Sequence, residues 1–255
     1  MKKIAIIAII GLILISGKAK GEQITLASDI WCPFNCAPDS SEQGYMVEIA
    51  KTVFKKSGHD VKYILMPFAR AIKESREGKV TALIGVYKED VPDFIFPKNE
   101  LGMLGFSIFT TKENNWVYNG ISSLEKVSLG VIRDYTYNSE LVDYINKNAS
   151  NSKKIQVIHG ENPVDINIKK LLAGRLDATI ETEQVFLYNA MKLGVIDKIK
   201  SSGVAVEPKE AYIAFSPTVK ESKVYAEILS NGIDELRKSG ELSKILNKYG
   251  LKDWR

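Results

Sequence analysis

The sequence predicts an α/β protein of two lobes, each a mostly parallel sheet flanked by helices. Three observations predict it. Short β-branched runs alternate with amphipathic stretches along nearly the whole chain. Some runs, such as Val80–Tyr87, are apolar nearly throughout, as in strands covered on both faces. Two such series follow one another with no flexible linker, which sets two lobes around a cleft, a favoured place for a small-molecule site. The 255 residues suit one large domain or two small ones. With 45% apolar and 26% charged residues, the composition is that of a globular protein, and disordered, collagen-like and coiled-coil classes are excluded.

The amino terminus stands apart. Lys2 and Lys3 precede an apolar run, Ile4 to Ile15, and small residues follow at Ala19 and Gly21. This describes a secretory signal peptide over residues 1–21, cut after Gly21, with Ala19 the second choice. The run is shorter than the ~20 residues a spanning helix needs, although an uncleaved anchor is the alternative. No cysteine lies near the cut to carry a lipid. Cleavage removes Lys2, Lys3, Lys18 and Lys20 and brings the formal charge from +4 to about zero. The basic balance thus belongs to targeting, and a nucleic-acid or anionic-lipid partner is not implied.

Ile24–Ala27 reads as a buried strand. Met46, Ile49, Ala50, Val53 and Phe54 recur at helical spacing and make one apolar face, ended by Gly58. Val61–Leu65 is a strand. Pro67 opens a short helix that stops at Gly78, and Val80–Tyr87 is the third strand. Pro92 and Pro97 bracket a break, and a long apolar stretch runs from Leu101 to Phe109. The second series begins with the strand Val127–Ile132. Asn138 is placed to cap a helix bearing Leu141, Val142, Tyr144 and Ile145. Ile155–Ile158 is a strand. Asn162-Pro163 reads as a cap and first turn, Ala178–Ile180 as a strand, and Val185 to Met191 as a helix closed by Gly194. Ala211–Phe215 is the last strand, and two amphipathic helices end the chain.

The loop after the first strand is Trp31-Cys32-Pro33-Phe34-Asn35-Cys36. Pro33 and Asn35 break the strand, so two aromatics sit at its carboxyl end, the edge where open α/β sheets bind ligands. The other reading is that both aromatics are core. Export to an oxidising compartment favours a Cys32–Cys36 disulfide, worth about 2 kcal/mol on the chain-entropy picture and fixing the direction of the loop. A metal site would need more ligands than two cysteines and the isolated His59 and His159, and none is expected. No cofactor motif is present.

The aromatic-Pro-aromatic loop stands first in a series. Gly44-Tyr45 precedes a helix, and Gly174-Arg175-Leu176-Asp177-Ala178 precedes a strand. The terminal Leu242-Ser243-Lys244-Ile245-Leu246-Asn247-Lys248-Tyr249-Gly250 closes the series. In that order, behind a signal peptide, they resemble the bacterial extracellular solute-binding proteins of family 3. These are type II periplasmic binding proteins of polar amino-acid transporters. The resemblance implies lobe one from residues 22–110 and 213–255 and lobe two from 111–212. Two hinge crossings are implied, near Phe109–Lys112 and Tyr212–Phe215, with a ligand between the lobes. It implies a lobe-one wall of Trp31, Phe34 and Tyr45, with Arg70 either reaching an anion or remaining a solvated helix charge. It implies a lobe-two helix start at Tyr135 and Thr136 for a carboxylate. Where such proteins grip a carboxylate with Arg, this chain has Lys88, beside Tyr87. Where they hold an ammonium with Asp, it has Thr182, flanked by Glu181 and Glu183. Asp134 replaces a glycine. These departures set an ordinary amino-acid ligand in question.

The function implied is a periplasmic, monomeric, non-enzymatic protein. It would capture a small polar solute, an amino acid or related carboxylate, for a membrane permease of the ABC type. A membrane signalling receptor is the alternative partner. A dehydratase like those acting on cyclohexadienyl acids, with Glu181 or Glu183 as general acid, is the enzymatic alternative.

Overall fold

The computed structural model describes residues 22–133, 135, 137–159 and 162–255. The expected signal peptide, 1–21, and the positions Asp134 and Thr136 lie outside the described residues. The first series is β1 (Gln23–Ser28), α1 (Tyr45–Lys56), β2 (Asp60–Leu65), α2 (Phe68–Arg76) and β3 (Ala82–Val86). β1 lies parallel to β2 on one side and to β3 on the other. The second series is β5 (Leu129–Ile132), α3 (Ser139–Asn148), β6 (Ile155–Ile158), α4 (Pro163–Leu172), β7 (Ala178–Thr182) and α5 (Glu183–Lys192). There β5 lies parallel to β6 and β7.

Two long strands join the halves: β4 (Gly102–Thr111), between the two series, and β8 (Ile199–Phe215), after them. They pair antiparallel with each other, β4 also with β7 and β8 also with β3. The strand order is therefore β2-β1-β3-β8-β4-β7-β5-β6. Each lobe is a parallel trio closed by one antiparallel strand. The last helices, α6 (Ser222–Ser239) and α7 (Glu241–Lys248), return to pack on α1.

Helical faces supply the cover that parallel strands need. α1 buries Met46, Ile49, Ala50, Val53 and Phe54, the face expected from their spacing. On the opposite face of the first trio, Ala27, Leu83, Val86 and Ala214 pack with Ala71 and Phe94. In the second lobe Phe109 stacks on Phe186, with ring centroids 3.9 Å apart, while Leu129, Val131, Leu141 and Tyr144 form the other core. Asn138 caps α3 as expected, its side chain accepting from Leu141 N–H at 3.1 Å.

Three expectations change. The last strand is much longer than Ala211–Phe215. Its first part, from Ile199, pairs only with β4, and one open edge lets it carry Lys200, Glu207, Lys209 and Glu210, which hid it in the sequence. Asn162 and Pro163 stand at the N-cap and first turn of α4 as expected, but Asn162 sits in left-handed backbone, φ 53°, and its side chain makes no bond to the helix. Phe109 already pairs with Thr179 inside the second trio, and Tyr212–Phe215 with β3 inside the first. The chain therefore changes sheets before Phe106 and before Tyr212, a few residues ahead of the expected crossings.

Candidate functional site

The loop after β1 is built from its own short bonds. Trp31 N–H donates to Asn35 O at 2.8 Å and Phe34 N–H to Trp31 O at 2.9 Å. A Cys32–Cys36 disulfide joins its ends. The carbonyls of Pro33 and Phe34 accept from Tyr45 and Met46 N–H at 2.8 and 3.1 Å, satisfying amides that a helix start leaves free. The loop is thereby fixed to α1. Gly44 makes this possible. Its φ is 101°, and a Cβ there would stand 2.5 Å from Phe34 O.

This anchoring aims Trp31 into a cavity of about 430 Å³ between the lobes. The cavity lies where the parallel strands end, the ligand-binding edge of open α/β sheets. Ser28, Asp29, Ile30 and Trp31 come from the end of β1, and Phe68 from the start of α2 beyond β2. Ile84, Gly85, Tyr87 and Asp90 come from the end of β3. Across the gap stand Phe106 of β4, Tyr135 beyond β5, and Thr182 at the end of β7. The indole of Trp31 lies over Gly85, where a Cβ would come within 3.4 Å of the ring. Tyr87 N–H donates to Asp90 Oδ2 at 3.1 Å and holds that carboxylate at the rim.

Of the residues expected at the site, Trp31, Tyr87, Tyr135 and Thr182 meet here. The others do not. Phe34 is fully buried behind Trp31, ring centroids 4.4 Å apart. Tyr45 is buried among Phe34, Tyr249 and Trp254. Both belong to the core, because the loop turns back on itself and presents only one ring outward. Arg70 is bound to Glu74 at 2.7 Å on the outer side of α2. Phe68 faces the cavity, and two residues along a helix point to opposite sides. Lys88 lies in a separate groove on the joining strands, 4.6 Å from the Tyr212 ring centre and 3.5 Å from Glu210.

Glu183 is exposed on α5. Glu181 is buried, and its Oε1 accepts from Thr182 N–H at 2.7 Å. Its Oε2 has no partner among the described residues. Burial pushes its pKa up to about 8, with the bond from Thr182 and the nearness of the Tyr135 hydroxyl pulling the other way. The carboxyl stands behind the cavity wall rather than in it. Among the described residues no group of His, Cys, Asp and Glu is arranged to hold a metal ion.

Sequence reasoning passed over Asp29, Phe68, Asp90 and Phe106. Asp29 and Phe68 had a usable signal, since each closely follows the carboxyl end of a parallel strand. Phe106 had none, being one apolar residue within an apolar stretch.

Comparison with known proteins agrees with this architecture. The chain is 22% identical over 220 residues to the probable amino-acid-binding protein YxeM of Bacillus subtilis (strain 168), covering 85% of this chain and 79% of that protein. Its fold resembles substrate-binding domain 2 of GlnP from Lactococcus lactis in the open conformation. The TM-score there is 0.67 at 21% identity, over 90% of this chain and 96% of that one. It also resembles a polar amino acid ABC uptake transporter substrate-binding protein from Streptococcus thermophilus. That pair has a TM-score of 0.69 at 20% identity, over 89% of this chain and 85% of that one. The family profile itself spans residues 24–252. The chain belongs to the bacterial extracellular solute-binding proteins, family 3.

Proposed function

We propose that the protein captures a small polar solute between its lobes and delivers it, chemically unchanged, to the membrane permease of an ABC-type importer. The observation that carries this is a cavity lined from both lobes, with only β4 and β8 passing between them among the described residues. That arrangement favours closure by bending at the two strands, around Gly102–Phe106 and Val206–Ala211. Residues 22–110 with 213–255, and 111–212, approximate the two moving bodies. Trp31, Tyr87, Tyr135 and Thr182 are the proposed contacts, with Thr136 from the second-lobe loop. The family and the basic, apolar amino terminus support delivery from the periplasm by a chain released after Gly21, which we take to act as a monomer. Among the described residues no helix is long and apolar enough to cross a membrane.

A micromolar complex needs about −8 kcal/mol. Stacking on several rings and two or three charge-assisted bonds supply that after the cost of closure. Titration calorimetry against a broad solute panel tests the reading. One solute is expected to bind at one site per chain, to be recovered intact, and to bind poorly to Trp31→Ala. A solute bound equally well by that variant, or converted during the titration, overturns it.

A further inference from the structure

Resting on that reading, we propose that the solute is an organic cation without a carboxylate: an amine, a guanidine or a quaternary ammonium compound. The described lining of the cavity holds five aromatic rings and two carboxylates, and no Lys, Arg or His. Aromatic faces attract cations, most strongly where water is excluded. Asp29 and Asp90 face the cavity and form no ion pair with any described residue, although Glu74, Glu89 and Glu210 nearby all do. Among the described residues the Asp29 carboxylate accepts only from the Ser28 hydroxyl, at 3.3 Å, and the Asp90 carboxylate only from Tyr87 N–H. Each therefore keeps oxygens free for a donor.

The two cations that would serve a carboxylate are engaged elsewhere, Arg70 with Glu74 and Lys88 with Glu210. Behind the wall, Glu181 takes the Thr182 amide at the start of α5 for itself, and its Oε2 has no partner among the described residues. A solute carboxylate brought here would lose water and meet carboxyl groups instead of a counter-charge. An ammonium or guanidinium meets rings and free carboxylate oxygens.

Calorimetry with matched pairs decides the matter: agmatine against L-arginine, cadaverine against L-lysine, choline against glycine betaine. L-glutamine and L-glutamate serve as neutral-side-chain and acidic controls. At least one cation is expected to bind tenfold or more tighter than its carboxylate partner. Asp29→Asn and Asp90→Asn are each expected to weaken it by about tenfold. Both variants keep an amide oxygen for the existing bond, and far-ultraviolet circular dichroism checks their folding. Tighter binding of the carboxylate member in every pair, or binding indifferent to both substitutions, overturns the cation assignment while the solute-binding reading stands. Binding by no compound in this set or the broad panel sinks both.

Discussion

Two hollows of nearly equal volume, about 430 and 420 Å³, lie close together on this protein. The first, between the lobes, is walled by aromatic rings and by Asp29 and Asp90, which form no ion pair with any described residue. The second, on the joining strands, holds Lys88, Glu89, Lys209 and Glu210, and its charges are matched. Tyr87 and Lys88 are neighbours in the chain yet face different hollows. β3 ends at Val86 and the chain turns at Lys88, so a one-residue step separates a binding wall from a neutralised surface. Tyr212 and then Glu210 raise the Lys88 pKa. The lysine is a satisfied surface cation, with its charge spent locally.

The largest expected effect lies behind the first hollow. The folded-state pKa of Glu181 is raised, to about 8. The folded chain therefore binds this proton more tightly than the unfolded chain. Its contribution to stability is complete below the ordinary carboxylate range and is lost as pH rises through about 8. Urea midpoints should fall between pH 5 and 9 by the equivalent of a few kcal/mol, and Glu181→Gln should flatten that fall. A wild-type profile as flat as the variant's would mean the carboxyl is solvated in solution. Next in size, Trp31→Ala should weaken solute binding by about 2 kcal/mol, roughly thirtyfold. Calorimetry reads this directly, and a twofold change would move the site elsewhere. Smallest is Lys88→Ala. The lysine's exposure and local pairing predict stability within about 0.5 kcal/mol of wild type and affinity within about twofold. A large loss of affinity would merge the two hollows into one functional site.

How much of this was legible in sequence follows from which signals are local. The parallel trios were readable because glycines and prolines punctuate apolar runs of the right length. β8 was not, because half of it is an open edge bearing charges. Gly44-Tyr45 and the terminal Tyr249 looked like unrelated short motifs. In space they are one feature: the Tyr249 hydroxyl accepts from Gly44 N–H at 2.9 Å and donates to Glu48 at 2.5 Å. The bond ties the last helix to the first. At the site, residue type pointed to the right loop but could not choose among its rings. Trp31 and Phe34 have similar chemistry, and only the fold of the loop sends one to the cavity and the other inward. Phe106 was invisible for the complementary reason, since nothing about an apolar residue in an apolar strand says that one face is open.

The picture as a whole depends on a solute held between bodies that move. Small-angle X-ray scattering, with and without a saturating bound solute, measures this most directly. A smaller radius of gyration in the complex, with the free form matching an open cleft, is the predicted result. Tight binding at one site per chain with superimposable scattering curves would contradict it.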